Sequence, residues 1–304
     1  MSGVGVPSLS RPTAVTRSPV GYAPTVHPYL ISETVGVRPR LRPVIGRIRR
    51  ESGREPVRRG HVTPTAPAAV IVMAAGKGTR MRSVTPKVLH RIGGRSLVDH
   101  AVTAARGLEP QHLVVVVRHE RDAVIAHLAE VAPDAVPADQ DEVPGTGRAV
   151  ACGLAALPED LTGPVVVTSG DVPLLDTATL KELLAQHHER GDAVTLLTTE
   201  LEDPTGYGRV VREADGTVSA VVEQRDASEA QRAIREINAG VYVFDAAHLR
   251  TALATLGTDN DQGEVYLTDV VAHAHQTGRS TSALVATDHW LVEGCNDRAQ
   301  LAEL

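Results

Sequence analysis

The chain has 304 residues, 42% of them hydrophobic, 22% charged and 2% aromatic, with a formal net charge of −6. That length suits one large α/β domain, or a domain with a tail. No run approaches the roughly 18 apolar residues of a transmembrane helix, and the N-terminus lacks the apolar core of a secretion signal, so a cytoplasmic location without membrane attachment is expected.

Two cysteines, Cys152 and Cys295, are too few for a disulfide framework or a Cys-rich zinc site and read as small buried thiols. No long repeat is visible, which argues against a solenoid. Only three of the 31 basic residues are lysines: Lys77, Lys87 and Lys181. The charge is also unevenly spread. Residues 1–67 hold eleven arginines against three acids, a net of +8, while residues 68–304 hold 20 basic and 34 acidic residues, a net of −14.

Residues 1–67 are rich in Pro, Arg, Ser, Val and Gly, without sustained periodicity, and read as a disordered basic extension. Such a tail suits nucleic acid or anionic lipid, but the plainer reading is an extension without function, and no nucleic-acid partner is expected. A translation start near Val62 would leave the folded part whole.

From Ala68 the texture changes. Residues 69–74 are continuously apolar, as a buried parallel strand should be. A helix begins at Ser96, where Ser-Leu-Val-Asp resembles a capping box, and Leu97, Val98, Ala101, Val102 and Ala105 form its inward stripe. Further segments follow: a strand at 113–117, a helix at 121–131, a helix at 148–156 and a strand at 165–168. A helix at 177–190 then leads to a strand at 193–198. This alternation predicts an α/β fold with a doubly wound, mostly parallel sheet. Two short strands at 207–212 and 217–223 flank the hairpin signal Asp215-Gly216 and predict a small β-rich insertion. A strand at 237–244 comes next, and the chain closes on a helix from about Asn296. The domain division is therefore 1–67 and 68–304.

Ligands of open α/β sheets bind at the carboxyl ends of strands. The loop after the first strand reads Ala74-Ala75-Gly76-Lys77-Gly78-Thr79-Arg80-Met81. It lacks the third glycine of a dinucleotide fingerprint, and Arg118 and His119 stand after the second strand where an acid would be wanted. Nor does it fit a Walker loop, because Lys77 is followed by Gly78. Three cations around one Gly loop, Lys77, Arg80 and Lys87, suit a triphosphate. Asp171, next to Gly170 at another strand end, suits a magnesium ligand or the N-cap of the following helix. Gln140 and the backbone of Gly145-Thr146 are placed to bond a base edge, although Gly-Thr-Gly is also an ordinary turn.

Together these residues resemble the sugar-1-phosphate nucleotidyltransferases. The Gly loop followed by Thr85-Pro86-Lys87-Val88-Leu89-His90 is similar to the uridyltransferase domain of the bifunctional N-acetylglucosamine-1-phosphate uridyltransferase / glucosamine-1-phosphate acetyltransferase family. The likeness runs from about Ala68 to the C-terminus through Gly170-Asp171-Val172-Pro173-Leu174, Thr205-Gly206-Tyr207-Gly208-Arg209 and Glu236-Ile237-Asn238. It also takes in Gln262-Gly263-Glu264 with Leu267-Thr268-Asp269, and Val292-Glu293-Gly294 with Asn296.

The resemblance implies a Rossmann-like nucleotide-diphospho-sugar transferase fold and Mg²⁺-dependent synthesis of UDP-N-acetylglucosamine from UTP and N-acetylglucosamine 1-phosphate, for cell-wall biogenesis. It implies that Met73, Ala74, Ala75, Gly76, Gln140, Gly145 and Thr146 hold uracil and ribose, with Ser169 and Gly170 beside them. Arg80 and Lys87 would neutralise phosphates, joined by Lys77 on the loop's own charge pattern, and Asp171 and Asn296 would hold Mg²⁺. Gly208, Glu223, Asn238 and Thr268 would read the sugar. Two positions depart from the pattern: Arg148 stands where histidine is usual, and Ser169 replaces an aromatic residue. The family's C-terminal β-helix is missing from this sequence, so its acetyltransferase activity and trimer are not expected, although some homo-oligomer is possible. Two alternatives remain: the same chemistry on another sugar or NTP, or a non-catalytic nucleotide-sugar binder.

Overall fold

The computed structural model describes residues 66–304, so the disordered extension expected at 1–67 lies almost wholly outside the described residues. The elements run β1 (Ala69–Met73), β2 (Arg91–Ile92), β3 (Arg95–Ser96), α1 (Leu97–Arg106), β4 (His112–Val117), α2 (Arg121–Val131), β5 (Val136–Asp139), α3 (Thr146–Ala155), β6 (Pro164–Ser169), α4 (Thr177–Arg190) and β7 (Val194–Glu200). Then come β8 (Arg209–Arg212), β9 (Val218–Val222), α5 (Glu229–Arg232), β10 (Glu236–Asp245), α6 (Ala246–Leu253), α7 (Asp269–Gln276), β11 (Thr281–Val285) and α8 (Arg298–Glu303).

The central sheet has the order β11-β7-β10-β6-β1-β4-β5. β5, β4, β1 and β6 pair in parallel, and so do β11 and β7, whereas β10 runs antiparallel to both β6 and β7. The fold is thus α/β and mostly parallel, as expected, with one reversed strand. β10 is long and changes register between Asn238 and Tyr242, where Gly240 has φ 71°. Its early end pairs with β8, which pairs with β9, so the insertion is an outgrowth of the main sheet.

Both faces of the sheet are covered, which is why its strands are apolar on alternate and intervening positions alike. Val70 and Val72 of β1 join Val115, Val166, Val98 and Leu180 on one face; Ala69 and Ile71 join Val114, Val165, Val150 and Leu249 on the other. Each of these valines, isoleucines and leucines taken fully out of water contributes about 1.5–3 kcal/mol. Ser96 caps α1, its hydroxyl accepting from the Asp99 amide at 3.1 Å, while the Asp99 carboxylate pairs with Arg95 rather than completing a capping box.

Three expectations need adjusting. α3 starts two residues earlier than expected, at Thr146, because its first turn is pinned to a second loop: Gly147 N–H donates to Val265 C=O at 2.8 Å. β5 had no sequence signal, because it is short, contains Pro137 and lies at the sheet edge where a missing N–H does no harm. Cys295 is buried, but Cys152 is only half-buried, since it lies on the flank of α3 beside the inward residues Ala149, Val150 and Gly153.

Candidate active site at the strand ends

The carboxyl ends of β1, β4, β5 and β6 open into one cleft of about 310 Å³. Eleven of the expected site residues line it: Met73, Ala74, Ala75, Gly76, Lys77, Lys87, Gln140, Gly145, Thr146, Ser169 and Asp171. Arg80 stands apart from that lining, on the exposed turn Thr79–Met81. Gly170 serves the cleft indirectly: its amide donates to Met73 C=O at 2.8 Å and ties two strand ends together.

Lys87, Asp171 and Asn296 form the polar centre. The Lys87 ammonium pairs with the Asp171 carboxylate and donates to Asn296 Oδ1 at 2.9 Å. Ser169 Oγ donates to Asp171 Oδ1 at 2.6 Å, and the Cys295 amide donates to Asp171 C=O at 2.8 Å. Gly78 is needed beside Lys87: its φ is +63°, and a Cβ there would lie 2.5 Å from Lys87 Cβ. Asp171 is not the helix N-cap. Asp176 takes that role, accepting from the Thr179 amide at 2.8 Å, which leaves the Asp171 carboxylate to the cleft.

The loop at 140–147 is held by its own side chains. The Gln140 amide donates to the carbonyls of Val143 at 3.0 Å and Gly145 at 3.2 Å. Its donors therefore brace the loop. Arg148 pairs with Asp141, which holds that carboxyl below the usual carboxylate range. Thr146 Oγ1 accepts from the Leu267 amide at 3.1 Å. Gly145 has φ +117°, and a Cβ would drive into the Val265 backbone.

Of the residues expected to read a sugar, Gly208 and Glu223 flank the β8–β9 insertion, Asn238 is on β10 and Thr268 precedes α7. The Asn238 amide donates to Gly208 C=O at 2.9 Å, and a Cβ on Gly208 would lie 3.7 Å from both Asn238 Cβ and Glu223 Oε2. Thr268 Oγ1 donates to Glu223 Oε1 at 3.2 Å. Burial pushes the Glu223 carboxyl up, and the nearby acids Asp226, Asp269 and Glu264 add to this, while the Thr268 hydroxyl opposes it. Glu264, one of the acids near Glu223, also lines the cleft, and the Tyr207 phenol donates to Glu293 Oε1 at 3.1 Å. Burial raises the Tyr207 phenol, and the Glu293 and Asp171 carboxylates raise it further.

Several cleft residues were not singled out from sequence as ligand contacts. Arg118 and His119 line the cleft, as does Glu264. The strand-end rule points to Arg118 and His119, but their residue types had served only to exclude a dinucleotide fingerprint. Among the described residues no group of three or more His, Cys, Asp or Glu is placed to hold a metal. Asp171 and Asn296 nevertheless present two hard oxygens that converge on one ammonium, which is the donor chemistry Mg²⁺ takes when phosphate and water supply the rest.

A fold and cleft of this kind belong to the nucleotidyl-transferring α/β domains, and comparison with known proteins places the chain among them. The chain belongs to the family of MobA-like NTP transferase domains, whose model matches residues 70–276. It is 59% identical over 242 residues to the bifunctional protein GlmU of Pseudarthrobacter chlorophenolicus, a match covering 79% of this chain and 49% of the relative. It is 58% identical over 241 residues to that of Kineococcus radiotolerans, covering 79% and 49%. For Streptomyces coelicolor the values are 56% over 238 residues, 78% and 49%. The chain spans about half the length of these relatives. A crystal structure from Bacillus anthracis, assigned as a glucose-1-phosphate thymidylyltransferase, has the same fold, with a TM-score of 0.60 at 15% identity, covering 77% of this chain and 92% of that one. No helix among the described residues is long and apolar enough to cross a membrane.

Proposed function

We propose that this chain transfers a uridylyl group: UTP and N-acetylglucosamine 1-phosphate give UDP-N-acetylglucosamine and pyrophosphate. The observation that carries the reading is the convergence of Lys87, Asp171 and Asn296 beside the Gly loop, with Glu223 on the adjoining insertion, Asn238 on β10 and Thr268 before α7. The 56–59% identity to GlmU proteins supports it.

A phosphate oxygen of the sugar phosphate attacks the α-phosphorus of UTP in line. A new P–O bond forms as the α–β bridging P–O bond breaks, and its electron pair leaves with pyrophosphate. No protein nucleophile is needed. The chain's work is to align two anions that repel each other and to stabilise charge as it develops. Met73–Gly76, Gln140, Gly145 and Thr146 hold the uridine, with Ser169 and Gly170 at its edge. Lys87, Lys77 and Arg80 balance the phosphates. Arg80 would do so from the exposed 79–81 turn that follows Gly78. Gly208, Glu223, Asn238 and Thr268 accept and donate hydrogen bonds to the sugar. Asp171 and Asn296 would hold Mg²⁺, which would supply positive charge to the phosphates. The substrates are small and soluble, in keeping with a cytoplasmic site of action.

The test is pyrophosphate release from UTP, Mg²⁺ and N-acetylglucosamine 1-phosphate, with panels of other NTPs and sugar 1-phosphates alongside. Release with the named pair above all others supports the reading. Preference for another pair changes the substrate, and tight binding without release makes the chain a binder.

A further inference from the structure

The parallel register places Arg118 between the two halves of the nucleotide site. Met73 of β1 pairs with Val116, and Val117 of β4 pairs with Asp139. Two residues past Val116, Arg118 is therefore level with Ala75 of the Gly loop on one side and with Gln140 on the other. Its Nη2 donates to Glu142 C=O at 3.2 Å. It forms no ion pair within 4.0 Å among the described residues, unlike Lys87, Arg148 and Arg121, each of which has a carboxylate partner. Lys77 has no such partner either. His119 stands beside both cations in the same cleft.

Clustered positive charge that carboxylates balance only in part, Asp141 near Arg118 and Glu120 near His119, is relieved further when an anion arrives. Burial pushes the His119 imidazole down, the Arg118 and Lys77 charges push it further, and the Glu120 carboxylate opposes them. Lys77 and His119 also line a second cleft of about 280 Å³ on the outer side of the Gly loop, together with Arg82 and the Ser83 and Thr85 hydroxyls. Glu120 is the one acid among the residues lining that cleft.

We infer that Arg118, with Lys77 and His119, forms a diphosphate-binding cluster that takes the β- and γ-phosphates of the nucleotide and the pyrophosphate they become, on the wall opposite Lys87 and Asp171. This rests on the nucleotidyl-transfer reading above and adds residues to it. Arginine suits the role because its fork gives one nitrogen to the Glu142 carbonyl and keeps others for phosphate oxygens.

The experiment compares the whole chain with Arg118→Ala and Arg118→Lys, by calorimetric titration with inorganic pyrophosphate, UTP and uridine, and by steady-state kinetics. The expected result for Arg118→Ala is a loss of about tenfold or more in affinity for pyrophosphate and UTP, the scale of one charge-assisted hydrogen bond. Uridine affinity should stay within about twofold of wild type, and Arg118→Lys should recover part of the loss. An equal loss for uridine would reduce Arg118 to a brace for the base loop and overturn the inference, as would unchanged pyrophosphate binding. Circular dichroism and thermal unfolding exclude a folding defect; if Arg118→Ala fails to fold, Arg118→Lys and Arg118→Gln carry the same comparison. If the wild type releases no pyrophosphate in turnover, the functional reading fails, while the binding titrations still decide the role of Arg118.

Discussion

Lys87→Ala probes the polar centre most directly. The Lys87 and Asp171 side chains are 12% and 19% exposed, so their pair lies between the surface and the interior. Exposed pairs contribute about 0–1 kcal/mol, and breaking a fully buried one costs about 3–5 kcal/mol. An intermediate loss of about 1–3 kcal/mol is expected, which lowers Tm by about 2–12 °C in a domain of this size. Activity should suffer far more. Removing a preorganised charge from a developing negative charge costs roughly 2.7–4 kcal/mol of barrier, about 10²–10³ in kcat. The two readouts separate structure from chemistry. A third follows from the shared oxygens: without the ammonium, Asp171 and Asn296 face each other without a cation, so Mg²⁺ should raise the Tm of the variant more than that of the wild type. The checks are a pyrophosphate-release assay and thermal unfolding with and without Mg²⁺. Near-wild-type turnover would refute the phosphate role, and an equal Mg²⁺ response in both proteins would refute the shared-cation argument.

Gly145→Ala meets both a φ of +117° and the Val265 backbone, so it should destabilise by at least about 1–3 kcal/mol; Gly76→Ala, whose Cβ has nothing within 4 Å, should leave Tm nearly unchanged, and equal Tm values for the two would contradict the packing argument. Asp171→Ala and Arg80→Ala should each lose about 10²–10³ in turnover while remaining folded by circular dichroism. Glu223→Gln should raise stability at neutral pH. Burial holds the folded-state carboxyl above its unfolded value, so the contribution of this group is fully present below the unfolded pKa and is lost as pH rises through the folded one. The Tm advantage of the variant should therefore shrink on acidification, while KM for the sugar phosphate rises; a pH-independent Tm difference would count against the burial argument.

Much of the fold could be read locally because its signals are local. The Val-rich runs of β1, β4 and β6 are apolar on both faces because helices cover both, and Ser96 is an ordinary helix cap, whereas the cap of α4 is Asp176 and not Asp171. β5 escaped because Pro137 and an exposed Val136 are tolerated only at an edge, and a single segment does not reveal where the edge is. The Gly loop and Asp171 stood out by residue type and strand-end position. Asn296 did not: its partnership with Lys87 spans 209 residues, and only the family likeness linked the two. Arg118 and His119 were visible as residues, but their place between the Gly loop and Gln140 comes from the parallel pairing of β4 with both neighbours.

The distribution of charge explains how an acidic domain can serve a reaction between anions. Residues 68–304 carry a net −14, yet Lys77, Lys87 and Arg118 line the nucleotide cleft. In a partly buried cleft the nearest charges dominate, because more distant ones are screened within about 8–10 Å at ordinary ionic strength. Asp171 pairs with Lys87 in that cleft, whereas Glu223 is raised by burial and by the neighbouring acids Asp226, Asp269 and Glu264, the last of which also lines the cleft. Such a carboxylate is a poor partner for phosphate and a good acceptor for hydroxyl and amide donors. Under the proposed uridylyl transfer, this difference in partners would orient a sugar phosphate with its phosphate toward Lys87 and its hydroxyls toward Glu223, the orientation that in-line attack on a nucleotide at the strand ends requires.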